Sequence, residues 1–222
     1  MKTFRYALLT CRREMLWFPS ALLAFFVVMA WMMGHPDVRF AISRAYLGFF
    51  VPLVGGILAA YAVIDDPALE LVFSTPRSAV GILLSRFGLV LAVQTACALV
   101  FQLFALGMVV DFSPLGGAFG VQLAWVVPTL ALSSVSSFAT LAGARCATGA
   151  CVASGIWLVQ LLMRSWIMEN AAWSYLFLGA LEPRNPDLPA SRAVLIGGSL
   201  LLLTASCRLL LRRERYLGRA VE

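Results

Sequence analysis

Apolar residues fall in six long runs along this chain, approximately 16–33, 46–64, 87–110, 119–143, 148–168 and 193–211. Each run is near the ~20 residues a helix needs to cross about 30 Å of hydrocarbon. Lipid offers no partner to a backbone N–H or C=O, so a spanning segment must bond within itself as a helix. The pattern predicts an all-α integral membrane protein, a single domain over 1–222 with six transmembrane helices. The fourth and fifth runs meet at Arg145 and Cys146, which predicts a tight hairpin. Pro52, Gly55 and Gly56 in the second run, and Pro128 in the fourth, kink those helices or let neighbours approach. Trp17, Trp31, Trp166 and Trp173 fall near run ends, as an aromatic belt would place them.

The polar breaks carry their own patterns. In 1–15, Phe4, Ala7, Leu8, Cys11 and Met15 share one helical face, while Lys2, Arg5, Arg12 and Arg13 spread over the rest. This predicts an interfacial amphipathic helix in the headgroup layer. The same segment could open a signal peptide, but the run after it reaches Met33 without a small-x-small cleavage site, which favours an uncleaved anchor. The break at 65–86, DDPALELVFSTPRSAVGILLSR, is the longest in the first two-thirds of the chain. Asp66 followed by Pro67 is a strong helix start, with Asp as cap and Pro at the first helical position. Asp65 and Asp66 end the apolar run, and Glu70 lies close to the helix start, where the positive end of the dipole favours a carboxylate. Leu69, Val72 and Phe73, at i, i+3 and i+4, form one apolar face. Thr75 and Pro76 break this helix and cap a second one, which enters the membrane near Arg86. The last large break, 169–192, holds Trp173, Tyr175 and Phe177 and then EPRNPDLP. It reads as a short helix or re-entrant turn closed by a proline-rich strap, or as a plain loop.

A small amphipathic helix between two spans is the shape that presses into a groove on a soluble partner. The wording DPALELVFSTP followed by SAVGILLSR resembles the loop between the second and third spans of permease subunits in type-2 ABC exporters. Over the rest of the chain the likeness is in span count and spacing. Where many relatives carry several basic residues after the proline, this chain has only Arg77 close by. The resemblance implies that the loop is a cytoplasmic coupling helix, with Asp65, Asp66, Leu69, Glu70, Val72, Phe73, Thr75 and Arg77 docking on an ATPase. It further implies two ATP-binding cassette subunits and a second permease chain, the same or similar. ATP and Mg would then sit on the partner subunits, and this chain would bind no cofactor. A structured element at 169–192 would cap the exit path.

Composition and charge agree with a membrane protein. The chain is 61% hydrophobic and 13% charged, with a mean hydropathy of +0.89, against about 45–50% apolar and about 25% charged in soluble domains. A net charge of +6 suggests nucleic acid in a soluble protein, but here its distribution has another cause. With both termini inside, only Arg39, Arg44, Arg164, Arg184 and Arg192 of the 17 basic residues lie outside. That is a positive-inside bias. It accounts for the charge without nucleic acid and puts the 65–86 loop in the cytoplasm, and the resemblance to the exporter permeases implies a bacterial cytoplasmic membrane.

The chain is poor in catalytic chemistry. There is no GxxxxGK[ST], and the one lysine is Lys2, so ATP hydrolysis would belong to another polypeptide. His35 is the only histidine and the five cysteines form no CxxC pair, so neither a metal site nor a disulfide frame is expected. Ser133, Ser134, Ser136 and Ser137 lack a GxSxG context and an embedded base. They are expected to bond back to their own helix or to let neighbours approach. Gln94, Gln102, Gln122 and Gln160, with Arg164, are costly inside hydrocarbon. The four glutamines are candidates for a substrate path, or for helix-to-helix hydrogen bonds. No acidic residue sits mid-span, which argues against a proton- or sodium-coupled carrier. The rival readings are the haem-export permease of cytochrome c maturation, an intramembrane enzyme and a non-transporting membrane scaffold.

Overall fold

The computed structural model describes residues 13–64, 79–113, 117–170, 173, 175–176 and 188–211. Among these the protein is all-helical. Helix α1 (Arg13–Met32) is followed after a three-residue turn by α2 (Pro36–Ala45). That helix runs through one π turn (Tyr46–Phe50) into α3 (Val51–Ile64). Then come α4 (Ala79–Gly107), α5 (Gly117–Gly143), α6 (Cys146–Leu162), the short α7 (Arg164–Glu169) and α8 (Leu188–Leu211).

Five of these stretches are long and apolar enough to cross a membrane: Met15–Met32, Pro36–Ala62, Val80–Gly107, Phe119–Gly143 and Pro189–Leu211. The expected fifth span, 148–168, takes a different form. It is the 17-residue α6, which ends at Met163 (φ −100°, ψ 21°) before α7 restarts. At 1.5 Å per residue α6 covers roughly 26 Å, short of the ~30 Å hydrocarbon layer.

Helix ends also differ from the apolar runs. The second helix begins at Pro36, ten residues before the expected 46, with proline at its first position and Asp37 in its first turn. Both features start helices well, and a helix need not stop where hydrocarbon does. Similarly, α4 begins at Ala79, before the apolar run at 87 and within the helix read to restart at Pro76, and α8 begins at Leu188. The interfacial helix at 1–15 lies outside the described residues up to 12, and α1 already runs from Arg13.

The buried centre is the pair α3 and α5. Of an apolar 18-residue stretch within Pro36–Ala62 67% is buried, against 17% of those within Met15–Met32 and Pro189–Leu211. Helices α4 and α6 pack on α3, α8 packs on α5, and α1 covers α2 and α4. Helices α4 and α5 run in opposite directions and α8 runs with α5, so Leu83, Leu141 and Leu210 share a cluster at one end. Towards the other end, Phe26, Tyr46, Val51, Phe101 and Trp125 form the largest cluster. In it, Tyr46 lies 5.2 Å from Phe26 and 4.4 Å from Phe101, ring centre to ring centre.

The end of α4 shows a local conflict between sequence and backbone. The Val110 N–H bonds to the Ala105 carbonyl at 3.1 Å and the Val109 N–H to the Leu106 carbonyl at 3.0 Å. These are the two bonds of a Schellman ending, and they place Val109 at φ +58°. A β-branched residue there is strained, and glycine is the usual occupant. Val109 is 86% exposed, so little packing offsets the strain. Val109→Gly should therefore stabilise the protein by about 1 kcal/mol, read as a rise in thermal midpoint in detergent. A fall would show that the valine side chain has a stabilising contact.

Candidate functional site

Two places in the fold concentrate polar groups: the junction where α3 hands over to α4, and a seam along α5.

At the junction, Asp65, Asp66, Leu69, Glu70, Val72, Phe73, Thr75 and Arg77 all lie outside the described residues. The helix ends that carry them are described. The last carbonyls of a helix lack intrahelical partners and form its negative end. The Ala62 carbonyl, near the end of α3, accepts from Arg86 Nη1 at 3.0 Å. Arg86 stands in the third turn of α4, so one charge-assisted bond ties the two helices that flank the 65–78 stretch.

The seam begins where α3, α4 and α5 meet. A Cβ on Gly55 would lie 2.8 Å from Thr129 Cγ2, 3.5 Å from Ser133 Oγ and 3.6 Å from Gln94 Cγ. The missing side chain lets the three helices close around these groups. Gln94 is 1% exposed, and among the described residues neither its Nε2 nor Ser133 Oγ has a hydrogen-bond partner. Along α5 the polar face continues through Ser136, Ser137 and Thr140, at i+3, i+4 and i+7 from Ser133. All are fully buried, and their hydroxyls are likewise unpartnered. Other hydroxyls bond back one turn: Thr129 to the Trp125 carbonyl at 2.6 Å and Ser134 to Leu130 at 2.7 Å. So the expectation that the serines bond back to their own helix holds for Ser134 and fails for Ser133, Ser136 and Ser137. The expected close approach does occur. Gly149 of α6 lies so near that an added Cβ would be 2.5 Å from the Ser136 carbonyl oxygen and would overlap the Thr140 hydroxyl.

Further along, α4 and α5 are joined by side-chain amides. Gln122 Nε2 donates to Gln102 Oε1 at 2.6 Å, and Trp125 Nε1 donates to Gln122 Oε1 at 2.9 Å. Gln102 Nε2 is buried without a partner among the described residues. Gln102 and Gln122 thus join α4 to α5, while Gln94 of α4 faces Gly55 of α3. Gln160 does not join them: its Nε2 donates to the Leu176 carbonyl at 3.0 Å, at the far end of α6. Chemically the seam is neutral. Amides and hydroxyls can hold or orient polar groups, but none of them serves as an acid or base near neutral pH. Among the described residues no three His, Cys, Asp or Glu side chains gather closely enough to hold a metal ion.

Thr129, Thr140 and Gly149 were not among the candidates read from the sequence, whereas Gly55 was read as a residue that kinks its helix or lets neighbours approach, and neighbours do approach there. The i, i+3, i+4, i+7 spacing from Ser133 to Thr140 was the available signal. The glycine contacts depend on which helices become neighbours.

The chain matches no family model, no curated protein and no solved structure.

Proposed function

We propose that this chain is the membrane-spanning permease subunit of an ATP-driven ABC exporter, set in a bacterial cytoplasmic membrane with both termini inside. The observation that carries the reading is the stretch DDPALELVFSTP, which joins α3 to α4. A helix docked there would act on both, because Arg86 ties the two helices close to the point of attachment. ATP-driven closure of two partner ATPases, with ATP and Mg held there, would push through Leu69, Val72 and Phe73. The push would reach α3, the helix most enclosed by others. This chain would do no covalent chemistry and would pair with a second permease. Gln94, Gln102 and Gln122 sit inside the packing of one chain, so they would meet a substrate only when α4 and α5 part.

The test is co-expression with a Walker-motif ATPase encoded beside this chain, followed by affinity purification on the permease. The wild type should bring the ATPase with it. Phe73→Asp should lose it while still inserting, because a charge on the docking face must be desolvated on binding. If no ATPase accompanies the wild type, the exporter reading falls and a scaffold takes its place.

A further inference from the structure

The long helix from Pro36 to Ile64 is interrupted once. Over Tyr46–Phe50 it widens to a π turn, with the Val51 N–H bonded five residues back to the Tyr46 carbonyl. The next residue explains the interruption. Pro52 has no N–H, and in regular α geometry its ring would press on the Gly48 carbonyl. It is almost wholly buried, so the helix cannot swing that face outward for relief. Single π turns of this kind are frequent at functional sites, and sharp changes of helix direction collect at them.

The turn is gripped from both sides. On one side the Phe26 ring of α1 lies 4.8 Å from Phe50, and the Phe101 ring of α4 packs on Tyr46. On the other side α6 reaches in with Trp157, whose Nε1–H donates to the Phe49 carbonyl at 3.1 Å. The Trp157 and Phe49 ring centres are 3.6 Å apart, at 59°. This donor comes from another helix, whereas the Thr129 and Ser134 hydroxyls bond back within their own. The core also divides near this place. Ile42, Tyr46, Leu47 and Val51 belong to the cluster with Phe26 and Phe101. Val54, Leu58 and Ala62 belong to a separate one with Val90.

We propose that the Tyr46–Phe50 turn is a hinge between α2 and α3, and that Trp157 of α6 is its latch. With the indole on the Phe49 carbonyl, α2 and α3 are held at one angle. With it released, α3 swings about the turn. The inference stands on helix geometry alone and does not depend on the exporter reading. If that reading holds, the hinge sets how the 65–78 stretch moves.

The test uses the full chain in lipid nanodiscs, with its own cysteines replaced by alanine. Spin labels go at Val38 and Tyr61, both 40% exposed, on either side of the turn. A control pair at Leu84 and Leu103 lies within α4. Trp157→Phe keeps an aromatic ring and removes the donor. Its Val38–Tyr61 distance distribution should be about twofold broader than in the wild type, with the α4 pair unchanged. Adding Pro52→Ala removes the need for the π turn and should narrow the distribution again. The proposal is overturned if Trp157→Phe superimposes on the wild type. It is overturned equally if the α4 pair broadens in step, since the bond would then hold the whole fold and not one hinge.

Discussion

Gly149→Ala should cost about 3 kcal/mol, the upper part of the range for overpacking a filled interior. The added methyl meets two obstacles at once. The Thr140 hydroxyl could turn aside, but the Ser136 carbonyl oxygen, 2.5 Å away, belongs to the backbone of α5 and cannot turn. Relief requires α5 and α6 to separate. Ser136, Ser137 and Thr140 are fully buried, and widening that seam strips packing from groups that have no hydrogen bonds to compensate. Gly155 provides the internal control. It lies on α6, six residues further on, with nothing within 4 Å of the position a Cβ would take. Gly155→Ala should raise stability by roughly 0.5–1 kcal/mol, because glycine weakens a helix interior relative to alanine. Thermal unfolding in one detergent measures both. Opposite signs for one chemical change in one helix would show that contact, not helix propensity, governs the seam. If Gly149→Ala were neutral, the close approach of α5 and α6 would be wrong.

The two glycines show which parts of this fold are legible in the sequence. Apolar runs located the five helices long enough to cross a membrane and the shorter α6, because hydrocarbon tolerates little else. Their ends were harder. Asp37, Arg39 and Arg44 look like the polar break between two spans, yet all three lie on α2. The Pro36–Ala62 helix has 27 residues, roughly 40 Å, so part of it extends past the hydrocarbon whether or not its residues are polar. The break at Met163 has no proline or glycine to announce it. The π turn had a partial signal in Gly48 and Pro52, but a proline in a span can equally give a plain kink. Its partner Trp157 comes 108 residues later, and no local pattern pairs them. The same limit applies to the candidate site. Gln102 and Gln122 stood out separately as polar residues in hydrocarbon, and only packing showed one bonded to the other. Gln160 stood out for the same reason, and packing carried it elsewhere.

Gln94→Leu should make the protein more stable. A buried amide nitrogen without a partner carries a desolvation penalty of about 1–3 kcal/mol, and Gln94 is 1% exposed with its Nε2 unpaired. Leucine is close in size and carries no polar atom, so the substitution removes the penalty. The expected gain is about 2 kcal/mol, seen as a higher thermal midpoint in detergent. Gln102→Leu is a poor substitute for this test, because Gln102 Oε1 accepts from Gln122 and its loss would leave a second amide unpaired. The sign separates two explanations of the seam. If Gln94 serves only to join helices, removing it should destabilise, as breaking a bonded pair does. If it costs stability where it stands, then its retention at the meeting of α3, α4 and α5 has another basis. The exporter reading supplies one: α4 and α5 part, and the amide meets a polar group of the substrate. In that case Gln94→Leu should be more stable and transport less, with ATPase docking intact. A variant both more stable and fully active would remove Gln94 from the path.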